Sequence, residues 1–259
     1  MESRNPILGK RGSFSRGGHA TFDDLPSDQQ LHDMYAAPAY TPEKRMTIDD
    51  VVMRTAATLG VLVAVGAGAW VLGLGIGFAF VGIIVGLGLA LFISFKRKTN
   101  PALILLYAAA EGLALGVISH FFSNQFSGIV VQAVLGTVLA FIGMLAAYST
   151  RLIRVTPKFV KGVVGAGVAL LGLMVINLVV SFFVPGGIGI RTDSALGILF
   201  SIVAIGVGCL FLVLDFAAIE GGIKAGAPER EAWLAAFGLT VTLVWIYLEI
   251  LRLLSYLRE

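Results

Sequence analysis

Charged residues, cysteine and histidine are all scarce in this chain. Only 14% of its 259 residues are charged, three are histidine, and Cys209 is the single cysteine. A soluble domain carries about 25% charged residues, so the composition excludes an ordinary water-exposed surface. One cysteine cannot form a disulfide within the chain. The net charge of +3 is too small to indicate a nucleic-acid partner.

Motifs for enzymatic chemistry are also missing from the sequence. It contains no HExxH, no GxSxG, no phosphate-binding P-loop and no CxxC. We therefore expect that the protein is not an enzyme and has no resident cofactor.

Apolar residues are what the chain has in excess. They make up 57% of the sequence, against about 45–50% in soluble domains, and the mean hydropathy is +0.90. Seven segments approach the roughly 20 apolar residues that a membrane helix needs: 52–72, 75–95, 101–122, 128–148, 162–184, 196–220 and 232–256. We predict an all-α bundle of seven transmembrane helices, arranged as three helix pairs and a last helix.

The first 46 residues differ from the rest in composition. They are rich in Gly, Ser, Asp and Arg, and they lack the apolar run of a cleavable signal peptide. We predict a disordered tail over residues 1–46 and a transmembrane domain over residues 47–259. Thr47 and Asp50 have the spacing of a helix-capping box, which places the start of the first helix here.

Lysine and arginine are distributed unevenly among the predicted connections. Sixteen lie on the side of the amino terminus and two on the other side, with Arg252 inside the last segment. Positive residues favour the cytoplasmic side of short loops. We expect a multi-pass protein of the cell membrane, with a cytoplasmic amino terminus and the carboxyl terminus across the membrane.

Seven ionisable residues fall within the predicted spans, where charge is costly. Such groups normally face the bundle interior, pair with one another or line an ion path. They are Arg54, Glu111, His120, Asp215, Glu220, Glu249 and Arg252.

These seven residues differ in their expected depth in the membrane. Glu111 lies ten residues into its segment, about 15 Å from the start, and is therefore expected near the midplane. Arg54 can reach the near interface or pair with Asp215 at a similar depth, and Glu220 is expected at the surface. Glu249 and Arg252 are one turn apart and can form a local ion pair.

Four sequence stretches resemble the Bax inhibitor-1-like membrane family. They are "MTIDDVVMRTAATLG", "YAAAEGLALG", "LDFAAIEGG" and "AAFGLTVTLVWIYLEILRLL", and the likeness, which is closest to a bacterial branch, covers roughly residues 47–257. The resemblance implies a seven-helix fold with a central last helix. It also implies a calcium leak controlled by pH through a pair of membrane carboxylates.

The resemblance assigns this acidic pair to Asp215 and Glu249. Glu111 matches a further acid of the family, and Arg54 corresponds to its basic residue near the pair. The sequence departs from the family at Asp215-Phe216-Ala217, where many members have Asp-Thr-Gln. It departs again at Glu249, where Asp is common, and in the gap of 34 residues between the acids. A pair so far apart requires an asymmetric turn between the last two helices.

Three functions are compatible with these features. The first is a pH-sensitive cation leak channel, in which Asp215 and Glu249 transiently bind calcium as the permeant ion. The second is a non-conducting regulatory protein that binds other membrane proteins, and the third is a proton-coupled transporter. For all three functions the lipid bilayer is a partner of the protein. The leak channel also has cations as partners.

The odd helix number predicts that the two ends of the chain lie on opposite sides of the membrane. In a Cys209→Ser background, a cysteine in the tail and one placed after Arg258 should react with an impermeant maleimide from opposite sides. Labelling of both cysteines from the same side would reject the seven-helix topology.

Overall fold

Seven helices make up the part of the chain that the computed structural model describes, which is residues 44–258 together with His32. They are α1 (Ile48–Val71), α2 (Ile76–Lys96), α3 (Pro101–Gln125), α4 (Ile129–Ser149), α5 (Pro157–Ser181), α6 (Ala195–Lys224) and α7 (Glu231–Tyr256). All seven are long and apolar enough to cross a membrane. The predicted all-α, seven-span fold is confirmed. The tail prediction for residues 1–43 lies outside the described residues.

The helix starts follow from short capping signals. Thr47 and Asp50 form the predicted box, with each side chain bonded to the backbone N–H of the other. Thr156 accepts a hydrogen bond from the Phe159 N–H, and Pro157 occupies the first turn of α5. Helix α5 therefore begins five residues before its predicted start at residue 162, because the proline and its cap outweigh the polar character of this stretch.

Helices α3 and α7 form the interior of the bundle. Helix α7 packs against α6, α1, α4 and α3, as expected for a central last helix. Helices α1 and α2 both pack along α3, and α5 packs on α6. The side of the bundle that holds the start of α1 is called the near side below, and the opposite side is the far side. The α6–α7 loop is on the near side and the α5–α6 loop on the far side.

Glycine allows α1 to approach α3 until their backbones touch. A Cβ atom on Gly112 would overlap the Leu62 carbonyl, and one on Gly116 would overlap the Gly66 carbonyl. The GxxxG spacing of α3 therefore marks a packing surface, as such spacing commonly does in membrane helices.

Residues 44–46 belong to the folded domain and not to the tail. The Met46 N–H donates to the Ala227 carbonyl at 2.8 Å, and the Glu229 N–H donates to the Lys44 carbonyl at 2.7 Å. Met46 is buried against Gly222 near the end of α6. Backbone pairing with the α6–α7 loop therefore holds this polar stretch, the last three residues of the predicted tail, in place.

The α1–α3 contact predicts an unequal response to two glycine substitutions. Gly112→Ala should lower stability by roughly 1–3 kcal/mol, because the new methyl group meets backbone that cannot move aside. Gly60→Ala on α1 has open space around it and should leave stability equal or slightly higher. Melting temperatures of the purified variants in detergent test this, and equal losses would contradict the close approach.

Two amino-terminal truncations should separate residues 1–43 from residues 44–46. A chain that begins at Lys44 should melt like the full chain. A chain that begins at Thr47 loses the backbone pairs and the buried Met46, a side chain whose burial contributes about 1.5–3 kcal/mol. It should therefore melt several degrees lower. Equal melting of both truncations would show that residues 44–46 add nothing to the fold.

Candidate functional site

A stripe of polar side chains runs along one face of the central helix. Thr242, Trp245, Glu249 and Arg252 follow one another at intervals of three and four residues, which places them on one side of α7. We call these four residues the α7 stripe. The indole N–H of Trp245 is buried and has no hydrogen-bond partner among the described residues.

Asp215 meets this stripe from α6. Its Oδ2 accepts a hydrogen bond from the Thr242 hydroxyl at 2.7 Å, and Gly238 leaves room beside its Oδ1. Asp215 lies nine residues before the end of α6, about 13 Å from the near-side end. Within residues 44–258 no cation forms an ion pair with this carboxylate, so its partner inside the bundle is a hydroxyl.

Glu249 lies further along the stripe and is held by two arginines. Arg191 binds it in bidentate fashion, with Nη2 2.8 Å from Oε1 and Nη1 3.1 Å from Oε2. Arg252, one turn further along α7, reaches Oε1 at 3.3 Å, which confirms the predicted local pair. The Glu249 side chain is only 3% exposed. Its negative charge is therefore balanced inside the protein.

Asp215 and Glu249, the expected acidic pair, have separate partners in the structure, which are Thr242 for Asp215 and the two arginines for Glu249. Thr242 binds Asp215 and lies seven residues before Glu249, about 10 Å along the helix. The loop between α6 and α7 is short and nearly symmetric, so each helix departs from it at the same depth. The asymmetric turn that the 34-residue gap requires is absent from this connection.

Arg54 turns toward the near side and not toward Asp215. Its guanidinium donates to the Glu229 carboxylate at 2.5 Å and to the Glu229 carbonyl, and it stacks over the Trp233 ring. Lys44 lies 3.6 Å from the same carboxylate, and its hydrogen bond to Asp50 raises the pKa of Lys44 above its ordinary value. The suggested Arg54–Asp215 pair is therefore replaced by a cluster around Glu229.

Glu111 is a second acid inside the bundle without a cation beside it. It is partly buried on α3, and the described residues offer its carboxylate neither a hydrogen bond nor an ion pair. Gly86 on α2 makes room for this carboxylate, because a Cβ atom there would come within 2.8 Å of Oε1. The cost of placing a charge at this depth is therefore not offset by a neighbouring cation.

His120 and Glu220 lie away from the α7 stripe. The His120 ring packs edge-on against Trp70 at 5.5 Å, near the far-side end of α3. Glu220 accepts hydrogen bonds from the Tyr148 hydroxyl and from Lys224 at the near-side end of α6. The expected surface position of Glu220 agrees with this pairing.

A groove of about 1250 Å³ runs between α1 and α4. Its walls are almost entirely apolar, with Glu220 and Lys224 at one end and Ser119 and Tyr247 further along. Asp215, Glu249 and Glu111 are not among the residues that line it. The groove and the α7 stripe are therefore separate features.

The chemistry of the stripe suits weak cation binding better than tight binding. Among the described residues, no group of three or more His, Cys, Asp and Glu is placed to hold a metal ion. Asp215 and Thr242 together offer three oxygen atoms, whereas calcium takes six to eight. Water or backbone carbonyls would have to complete the shell.

Sequence reasoning missed Thr242, Glu229 and Arg191. A symmetric turn centred in the α6–α7 loop places Asp215 opposite about residue 240, and this register could have identified Thr242. Arg191 is the one cation in the loops predicted for the far side, apart from Arg258 after α7. The isolated position of Arg191 could have indicated a functional residue. Its partner on α7 could not be predicted from the spacing of residues.

Seven apolar helices around a polar central stripe define a multi-pass membrane protein with charged groups held inside its bundle. A family model described as "Bax inhibitor 1 like" matches residues 5–259. The chain therefore belongs to the Bax inhibitor-1-like family, and the match extends into the tail beyond the range of the sequence resemblance. A search of curated proteins found no match.

Proposed function

We propose that this protein is a non-enzymatic, pH-sensitive cation leak channel of the cell membrane, with calcium as a permeant ion. The observation that carries the proposal is the α7 stripe together with Asp215, because Asp215, Thr242 and Glu249 place carboxylate and hydroxyl oxygens along the central helix. Oxygen atoms are the groups that a calcium ion binds, and the rest of the bundle is largely apolar.

Asp215 is the cation-binding and pH-sensing group in this proposal. A carboxylate at this depth needs a proton or a cation to offset its charge, and the described residues supply only the Thr242 hydroxyl. Protons and cations therefore compete for one site. As pH falls, protonation removes the negative charge and the leak decreases; as pH rises, the free carboxylate admits a cation and the leak increases.

Glu111 is assigned a supporting role in the same process. It lies about 15 Å from the near-side end of α3, a depth similar to that of Asp215 in α6. Glu111 faces Gly86 of α2, so it adds negative charge at this depth and is not a ligand beside Asp215. Glu249 is different, because Arg191 and Arg252 already balance its charge.

The proposal also assigns orientation. The near side is cytoplasmic, because the connections on that side carry most of the lysines and arginines. A leak through this bundle then links the cytoplasm to the space on the other side of the membrane, and the bilayer and cations are its partners.

Replacing Asp215 by Asn should weaken the leak and remove most of its pH response. The variant keeps the shape of the side chain but cannot offer a charge to a cation or take up a proton. We expect calcium flux into liposomes that contain only this protein to fall about tenfold at neutral pH, which corresponds to ~1.4 kcal/mol of lost attraction. Between acid and neutral pH, the calcium flux through the Asp215→Asn variant should hardly change.

Asp49→Asn is the matched control, because Asp49 is exposed at the start of α1, away from Asp215 and from the α5–α6 loop. It should conduct like the parent chain at every pH. An Asp215→Asn variant with the parent's flux and pH response would contradict the role of Asp215. No flux from the parent chain at any pH would overturn the channel and favour the non-conducting regulatory protein.

A further inference from the structure

The α5–α6 loop, residues 182–194, folds back into the far side of the bundle. The Asn177 side chain accepts a hydrogen bond from the Ile188 N–H at 2.9 Å. Gly187 lies against Asn177 with φ +63°, so neither its conformation nor the space beside it suits a larger residue. Ile190 is buried against Leu170 and Phe200. In the state described here, these contacts hold the loop against the bundle at its turn and at its apolar side chain.

Arg191 follows Ile190 and enters the bundle from this anchored loop. Its guanidinium lies 5.1 Å from the centre of the Phe200 ring and forms the bidentate pair with Glu249. Paired N–H donors on both carboxylate oxygens fix orientation as well as charge. The pair thus connects a loop to the buried face of the central helix.

The position of this pair on α7 is what suggests a role in conduction. Glu249 lies seven residues after Thr242 and seven before Tyr256, so it is about 10 Å from each along the axis. A cation that leaves Asp215 along the stripe must pass this level to reach the far side. There it meets two guanidinium groups and one carboxylate, a net positive charge.

We propose that Arg191 is the far-side gate of the α7 stripe. In the structure described here the gate is closed, and cations pass only when the loop withdraws Arg191 from Glu249. The inference rests on the proposed function, since it assigns the regulation of that same pathway. Arg252 remains beside Glu249 when Arg191 leaves, so the open state does not strand an unbalanced buried carboxylate.

Removing the positive charge of Arg191 should increase calcium conduction and should also increase access to the α7 stripe from the far side. Arg191→Gln should raise calcium flux into liposomes on the order of tenfold, the effect of deleting one unit charge about 10 Å away at an effective dielectric near 20. Arg191→Lys keeps the charge but loses the bidentate pair, and its flux should lie between the two. If the Gln variant is not monodisperse after purification, the Lys variant carries the test.

A second measurement reports on access without conduction. In a Cys209→Ser background, a cysteine in place of Thr242 should react with an impermeant reagent from the far side several-fold faster when Arg191→Gln is also present. Exchanging the pair, Arg191→Glu with Glu249→Arg, should return labelling toward the slow rate, which a merely destabilised loop would not do.

Arg154→Gln provides the control, because Arg154 is an exposed arginine of the α4–α5 loop. It should leave flux and labelling unchanged. Parent-like flux and labelling in Arg191→Gln would overturn the gate while leaving the leak itself intact. A third outcome is faster labelling in Arg191→Gln with no calcium flux in any variant or in the parent chain. It would support Arg191 as a gate that controls access, and it would overturn the proposed leak.

Discussion

The cost of charge in hydrocarbon is the constraint on which this bundle depends. Burying an ion without a partner is strongly unfavourable, and a bound counter-ion offsets the cost only when the geometry is good. The protein meets this constraint at both ends of its central helix. Glu229, just before α7, binds Arg54 and Lys44, and Glu249, two turns before the end of α7, binds Arg191 and Arg252. Each cluster also ties the central helix or its near-side loop to another part of the chain.

Close packing around α3 complements these charged contacts. Lipid tails are as apolar as the helices, so helices associate through backbone approach and van der Waals contact. Glycines on α1, α2 and α3 supply that approach, whereas α7 is located by ion pairs and by the hydrogen bond of Thr242. The bundle thus contains a tightly packed group of three helices and a central helix held partly by polar contacts.

The number of helices and their approximate positions could be predicted from the sequence because bilayer thickness fixes the length of an apolar segment. The buried acids could be predicted as well, since a charge inside such a segment is conspicuous. Their partners could not. The partner of Asp215 depends on the register between α6 and α7, and a short symmetric loop selects Thr242 over an acid seven residues later. The partner of Glu249 depends on a loop that turns back into the bundle. Helical periodicity cannot predict the position of an arginine side chain that belongs to a loop.

The arrangement of charge along α7 has a consequence for conduction. Cations held by the protein are concentrated at the two ends of the helix, around Glu229 and Glu249. Two acids between these clusters, Asp215 and Glu111, have no cation beside them in the described part of the chain. A permeant cation would therefore meet positive charge on entry from either side and negative charge at the centre. Protonation of the central acids changes how well the centre holds an ion, but it leaves the end clusters in place. In the proposed leak, pH sets how strongly the central acids hold a cation, whereas opening requires movement of Arg191 in the α5–α6 loop.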